Sequence, residues 1–377
     1  MAVPKLRVFS ASWPGKVEPW RARFIRDLHA DLAHEFETQV IAPAVHPDDP
    51  TEEQDGNLRV RRFRYRSGGK SPRQGGVGLV QSCSWMLAGR KELKKWQSEQ
   101  FDGVTLVHWG LPGAFLAAPF CNPEKSPMVV WCHGSDVHRH GRGILGSFLL
   151  RRGLKSAVKV MAASAEMASE LKSLHGVSDV EVLPVGIDSV FQAPAKIGRK
   201  EARLQALWVG ERIESKGYGR ALRGVQQAVA RGVSVSLEVI GEGPLTGFRD
   251  YIPTLRGSVD SAGVREAMDR ADLLLLPSHG EGTPLVIQEA RSRNLPVAAT
   301  PVGGIPDLFE AENGWFPLNA KSETDLESEI CDLLALLENQ PEILQKCRQD
   351  LENSSIPIQY RCNNTDRLTE IFREVSS

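Results

Sequence analysis

No stretch of this 377-residue chain approaches the roughly 18 apolar residues of a membrane-spanning helix. Charge of one sign is missing too. Lys and Arg number 46 against 47 Asp and Glu, a net charge of −1, which excludes the strong basic excess that general nucleic-acid binding requires. Cys83, Cys121, Cys132, Cys331, Cys347 and Cys362 form no C-x-x-C pair and no ligand spacing. Asp-x-Asp occurs nowhere, so neither a disulfide framework nor a metal centre is expected. Residues 1–20 lack the uninterrupted apolar core of a signal peptide, and with unpaired thiols a cytosolic setting is expected.

What is present is a soluble composition, 41% hydrophobic and 25% charged, at a length that suggests two domains. Short apolar, β-branched runs alternate with longer helical patterns, the mark of βαβ units and parallel sheets. Runs at 6–11, 39–43, 104–109, 128–132, 158–163 and 180–185 form one group. Runs at 204–210, 235–241, 272–277 and 296–300 form another, and residues 191–203, with proline, charge and glycine, read as a linker. The expected class is α/β with two doubly wound Rossmann-like domains, 1–190 and 191–358, whose strand ends can face each other across a cleft. Residues 359–377 complete the chain, with an amphipathic helix at 366–375. The sequence does not reveal where it docks; a return to the first domain is the expectation.

The segment E-G-T-P-L-V-I-Q-E from Glu281 to Glu289 follows the run 272–277 and opens an apolar-faced helix. Thr283 reads as the N-cap and Pro284 as the first helical residue. The amides that follow lack intrahelical partners and, with the helix dipole, suit a phosphate. Glu281 before the helix and Glu289 within it suit vicinal hydroxyls; a loop carboxylate and a solvated helix carboxylate are the plainer alternative. Lys216, in G-E-R-I-E-S-K-G, can serve a diphosphate as a point charge, and Arg212 can do likewise, unless both are merely solvated. Gly241-Glu242-Gly243 is part of a dinucleotide loop at most, and a tight turn more simply.

In the first half, His133-Gly134-Ser135-Asp136 ends one run and His108-Trp109-Gly110 another. A strand-end imidazole can reach a substrate hydroxyl, whereas a core histidine bonded to backbone looks the same in sequence. Gly15 lets backbone amides approach a phosphate or sugar, or simply makes a turn. Arg59, Arg61, Arg62, Arg64 and Arg66, followed by Gly68-Gly69-Lys70, offer a basic platform for an anionic lipid surface. Residues 142–155, with Ile144, Leu145, Phe148, Leu149 and Leu150, are compatible with an interfacial helix. A solvated strand and a core helix are the alternatives.

In series these pieces resemble the retaining GT-B glycosyltransferases of glycosyltransferase family 4 over nearly the whole chain. They run W-P-G, V-I-A-P, H-G-S-D, V-L-P-V-G-I-D, L-W-V-G-(x5)-K-G, V-I-G-E-G-P, E-(x7)-E and P-V-G-G-I-P-D, of which E-(x7)-E with its V-G-G-I-P is the specific one. The resemblance implies a nucleotide-diphosphate sugar as donor and no cofactor or metal. The acceptor is a glycan, a lipid-linked or a small-molecule hydroxyl, with contact to an anionic membrane as an option. It implies that Glu289 holds the ribose, that Glu281 and His133 contact the transferred sugar, and that Lys216 and Gly15 lie by the diphosphate. Gly282, Thr283, Pro284 and Leu285 supply the loop amides; Asp136 and His108 stay uncertain, on the acceptor side. One departure stands out: relatives carry arginine after the glycine matching Gly210, where this chain has Glu211 and then Arg212. Two other functions share the fold, a nucleotide-sugar 2-epimerase or hydrolase and a non-catalytic nucleotide-sugar-binding subunit.

Overall fold

A computed structural model describes residues 3–67, 78–98, 101–193, 203–244, 251–310 and 313–376. The chain divides into two units, Met1–Val185 with Arg361–Ser377, and Gly186–Tyr360. The division falls after Val185 rather than at 190. Ile187 donates its amide to the Gln359 carbonyl and pairs with Tyr360, and Phe191 is buried in a core of the second unit. Most of the expected linker lies outside the described residues.

The first unit is built on eight strands: β1 (Lys5–Ser10), β2 (Glu37–Ala44), β3 (Glu52–Asp55), β4 (Leu58–Arg64), β5 (Val104–His108), β6 (Met128–Cys132), β7 (Lys159–Ala162) and β8 (Glu181–Val182). Their order is β3-β4-β2-β1-β5-β6-β7-β8, parallel throughout except for the β3–β4 hairpin. The central strands read as unbroken apolar runs because helices cover both faces. Alternation still divides the side chains: Leu6, Val8, Val104, Leu106, Val129 and Trp131 enter one core, and Phe9, Val107, Met128 and Val130 the other. The helix Arg23–Leu32 covers the first of these faces with Ile25, Leu28, His29 and Leu32, an i, i+3, i+4, i+7 stripe. The C-terminal helix, Arg361–Ser376, is longer than the pattern at 366–375 and belongs to this unit. Leu368, Ile371 and Phe372 enter the same core, Arg361 bonds Asp31 at 2.6 Å, and Arg367 grips both carboxylate oxygens of Glu181.

The second unit holds β9 (Leu204–Val209), β10 (Val235–Ile240), β11 (Thr254–Arg256), β12 (Leu273–Leu276), β13 (Val297–Ala299) and β14 (Trp315–Pro317). All are parallel, in the order β11-β10-β9-β12-β13-β14. The order reverses between β9 and β12. In open α/β sheets a ligand crevice forms outside the carboxyl ends of the strands at such a point.

Candidate functional site

The switch point of the second unit is where the motifs converge. Lys216 follows β9 and Glu281 follows β12, and Lys216 Nζ donates to Glu281 Oε2 at 2.6 Å. The other carboxylate oxygen accepts from Ser278 Oγ at 2.8 Å. Ser278 is fully buried, and its carbonyl accepts from Thr300 Oγ1. Glu281 is therefore held from two sides, with its side chain 5% exposed against 35% for Lys216. Ser278 is a site residue the sequence analysis missed; its only signal was its place two residues beyond the end of β12. The V-G-G-I-P motif lies against the same loop. Gly304 donates to the Gly282 carbonyl at 2.8 Å, and at Gly303, with φ of 57°, an added Cβ would sit 1.8 Å from the Glu281 carbonyl oxygen. Only glycine fits there.

The helix after this loop is Leu285–Ser292, so Pro284 with ψ of 122° is the N-cap, and the expected cap at Thr283 is corrected by one residue. Pro284 offers no side-chain cap. The amides of Leu285 and Val286 have no earlier helical carbonyl to donate to, whereas Ile287 donates to the Pro284 carbonyl at 3.2 Å; the first two keep this end suited to an anion. Glu289 is half-buried one turn further on. Burial, and then the charge of Asp188, push its carboxyl up to about 7. Arg212, expected as a diphosphate ligand, has backbone partners in this structure. Its guanidinium donates to the carbonyls of Gly241 and Gly243, the latter at 2.8 Å, and the residue is buried. Arg212 thus ties the loop after β9 to the loop after β10, and Gly241-Glu242-Gly243 serves as a turn that accepts from it.

In the first unit, Gly15 follows β1, but its surroundings are anionic. An added Cβ would lie 2.3 Å from Asp49 Oδ1, and that buried carboxylate accepts from the amides of Lys16, Val45 and His46. The amides expected to meet a phosphate at Gly15 are engaged, Lys16 with Asp49 and Gly15 itself with the Glu18 carbonyl. Asp49 was not a sequence candidate.

His108 and His133 do come together. His108 Nδ1 lies 2.8 Å from His133 Nε2, and His108 Nε2 lies 2.8 Å from Nε2 of His29. Strand parity explains this: His108 shares its face with Val104 and Leu106, and that face carries the helix bearing His29. Trp109 and Trp131 each approach the His133 ring with centroids at 5.1 Å. Burial holds His29 and His133 down at about 3 and His108 well below its ordinary value, so all three rings are neutral at pH 7. Asp136 is fully buried and accepts from the amides of Gly110, Gly134 and His133 at 2.7, 2.9 and 3.2 Å. Burial raises its carboxyl pKa, against those bonds. Expected on the acceptor side, it is a clasp between the loops after β5 and β6.

The basic platform of β4 is largely consumed internally. Arg59 pairs with Glu52, Arg61 with Glu92 and Arg62 with Glu53, and Arg64 donates to the carbonyls of Pro47 and Asp49. Residues 68–70 lie outside the described residues. Residues 142–155 behave differently. In the helix Ile144–Leu154, Leu150 and Leu154 are buried, while Ile144, Leu145 and Phe148 are 95%, 69% and 60% exposed. Among the described residues no group of three His, Cys, Asp or Glu side chains is disposed to hold a metal, and no helix is long and apolar enough to cross a membrane.

Against known families, residues 22–191 match the Glycosyltransferase Family 4 model and residues 203–336 the Glycosyl transferases group 1 model. The chain carries two glycosyltransferase domains. A protein named as a teichuronic acid biosynthesis glycosyltransferase, TuaC of Bacillus subtilis, is 31% identical over 229 residues, 56% of this chain and 57% of that protein. One named for colanic acid biosynthesis, WcaL of Salmonella typhimurium, is 28% identical over 237 residues, again 56% and 57%. The chain thus spans little more than half the length of these relatives. Two solved structures share the fold over their full length. Sucrose-phosphate synthase of Thermosynechococcus elongatus gives a TM-score of 0.70 at 15% identity, covering 98% of this chain and 99% of that one. HepE of Anabaena, solved with UDP and glucose, gives 0.69 at 14% identity with the same coverage. The fold class is GT-B.

Proposed function

We propose that this chain is a retaining, metal-independent glycosyltransferase that moves a sugar from a nucleotide-diphosphate sugar to a hydroxyl of a glycan, lipid-linked or small-molecule acceptor. The observation that carries the proposal is the meeting of Lys216, Glu281 and a helix start at one switch point. That HepE, of the same fold, was solved with UDP and glucose supports the choice of donor. In the reaction the bond from the anomeric carbon to the diphosphate oxygen breaks and the diphosphate leaves with the electron pair. The acceptor oxygen bonds to that carbon, and its proton passes to the departing phosphate oxygen. No side chain need act as base. Lys216 and the amides of Leu285 and Val286 stabilise the charge that develops on the leaving group. Gly282, Thr283 and Pro284 shape the loop, Glu281 and His133 meet the transferred sugar, and Glu289 accepts from the ribose hydroxyls.

A nucleotide-sugar panel read by thermal shift identifies the donor, because a ligand of the folded state raises the melting point. The Glu289 carboxyl, pushed up to about 7, adds a pH signature. Only the carboxylate accepts from two hydroxyls, so below pH 7 the affinity of the intact donor should fall towards about tenfold per pH unit, and above pH 8 it should level off. Glu289→Gln should bind weakly at every pH. A flat affinity between pH 6 and 8 in the wild type would remove the ribose role, and consumption of donor without acceptor would replace transferase with epimerase or hydrolase.

The exposed triad Ile144, Leu145 and Phe148, flanked by Arg142, Arg151, Arg152 and Lys155, supports a lipid-linked acceptor reached from an anionic membrane surface. Sedimentation with anionic vesicles should exceed that with neutral ones, and Phe148→Ser should abolish the difference. Equal recovery in the supernatant from both would end this part of the proposal.

A further inference from the structure

We propose that His29 and His108 are positioning residues for His133, and that the three rings form one hydrogen-bonded chain that places the ring hydrogen of His133 on Nδ1. The functional meaning rests on the proposed contact between His133 and the transferred sugar; the assignment of the hydrogen does not.

A neutral imidazole has one N–H donor and one bare nitrogen acceptor. Three neutral rings carry three hydrogens, and two of these must occupy the links His29–His108 and His108–His133, each 2.8 Å long. The third sits at an end of the chain, on Nδ1 of His29 or on Nδ1 of His133. Both end nitrogens are covered and without a partner among the described residues. The ends nevertheless differ. His29 is fully buried, its ring lying over Trp13 with centroids at 6.0 Å, and no ligand reaches it. His133 alone of the three is less than fully buried as a residue. A buried N–H with no acceptor is rarer and less tolerable than a bare lone pair. The third hydrogen therefore belongs at His133, the less buried end of the chain.

The links then run in one direction: His29 Nε2–H donates to His108 Nε2, and His108 Nδ1–H donates to His133 Nε2. His133 Nδ1 is left as a donor for a sugar oxygen. The alternative hydrogen order would present a lone pair to the same oxygen and bind it only through an oxygen's own hydrogen. Hence a ring fully outside the ligand's reach, His29, decides whether His133 donates or accepts.

The test is the tautomer of His133 by nitrogen-15 NMR of the ligand-free full chain, its signals assigned by their loss in His133→Gln. The Nδ1-protonated form is expected; an Nε2-protonated His133 overturns the proposal by itself. His29→Glu, studied at pH 8, supplies an acceptor to His108 Nε2 and should reverse both links, moving the His133 hydrogen to Nε2. His29→Gln keeps the shape and a neutral donor and should retain the wild-type tautomer. With the donor found by the panel, His29→Glu should lower kcat about tenfold, the worth of one hydrogen bond, with KM within about twofold. His29→Gln should stay within about threefold on the same scale. Equal losses in both variants, or an unchanged tautomer in His29→Glu, overturn the proposal. If His29→Glu fails to fold, the wild-type spectrum still decides. A chain without transferase activity would sink the proposed function while leaving the tautomer readable.

Discussion

Lys216→Ala should lower kcat by about 10²–10³-fold, the usual loss when one preorganised charge stabiliser is removed. The diphosphate is already anionic in the bound donor and gains charge as the glycosidic bond breaks. A cation beside it is therefore worth more in the transition state than in the ground state, and the loss should appear in kcat more than in donor affinity. The fold should survive. Lys216 is about a third exposed, so water can take the place of its ammonium beside Glu281. Glu281 keeps the hydroxyl of Ser278 at 2.8 Å. Lys216→Arg should recover part of the rate, because charge is restored but the compact ammonium that fits Glu281 at 2.6 Å is not. Steady-state kinetics with the donor from the panel decides the matter: a Lys216→Ala enzyme within threefold of wild type in kcat would remove Lys216 from the leaving-group site. With Arg212 bonded to the carbonyls of Gly241 and Gly243, no arginine of that loop stands in reserve.

The departure at Glu211 therefore bears more heavily on Lys216 than the sequence alone suggested. Where the family resemblance leads one to expect an arginine directly after the strand-end glycine, this chain has a carboxylate, and Arg212 after it turns inward to hold the loop after β10. Under the proposed function, the positive charge facing a diphosphate then comes from Lys216 and from the amides at the start of Leu285–Ser292.

Which parts of this were legible in sequence follows from the range of the interactions. β5, β6, β9, β10 and β12 announce themselves as runs of apolar residues, since a strand covered on both faces needs little else. Three short strands did not. β3 is Glu-Glu-Gln-Asp, β11 is Thr-Leu-Arg and β14 ends in proline, and each is a strand because a neighbour offers it a ladder. Lys216 and Glu281 each follow a strand run, so a common sheet edge is all that the sequence offers for their meeting. The order β10-β9-β12 turns that edge into one point. Thr-Pro looked like a cap and a first helical residue, yet the loop is pinned by Gly304 to the Gly282 carbonyl, and Pro284 is held extended outside the helix. His29 had no signal at all. It occupies a core position of an amphipathic helix, 79 residues from His108, and only strand parity brings them together. Arg212 shows the same limit in reverse: its chemistry was visible, but not the carbonyls 29 and 31 residues away that absorb it.

Asp136→Ala should cost the first unit about 3–5 kcal/mol, because three backbone amides lose their acceptor at once in a region closed to water. Each orphaned buried donor is worth about 1–3 kcal/mol, and the total falls short of the sum because neighbouring losses are not independent. The three amides belong to Gly110, after β5, and to His133 and Gly134, after β6. One carboxylate therefore holds together the loops beside His108 and His133, the middle and one end of the histidine chain. For a unit of about 200 residues the melting point should drop by roughly 10 °C. Asp136→Asn should fall between alanine and wild type. Its single carbonyl oxygen can serve one loop, while its NH₂ faces an amide of the other. Calorimetry of the full chain reads the first-unit transition directly, and a shift of less than about 2 °C in Asp136→Ala would mean the amides find other acceptors. Activity separates this residue from Lys216. Loss at Asp136 acts through the placement of His133, so it should worsen as temperature rises towards the lowered transition, whereas Lys216→Ala should show a constant deficit at every temperature below unfolding.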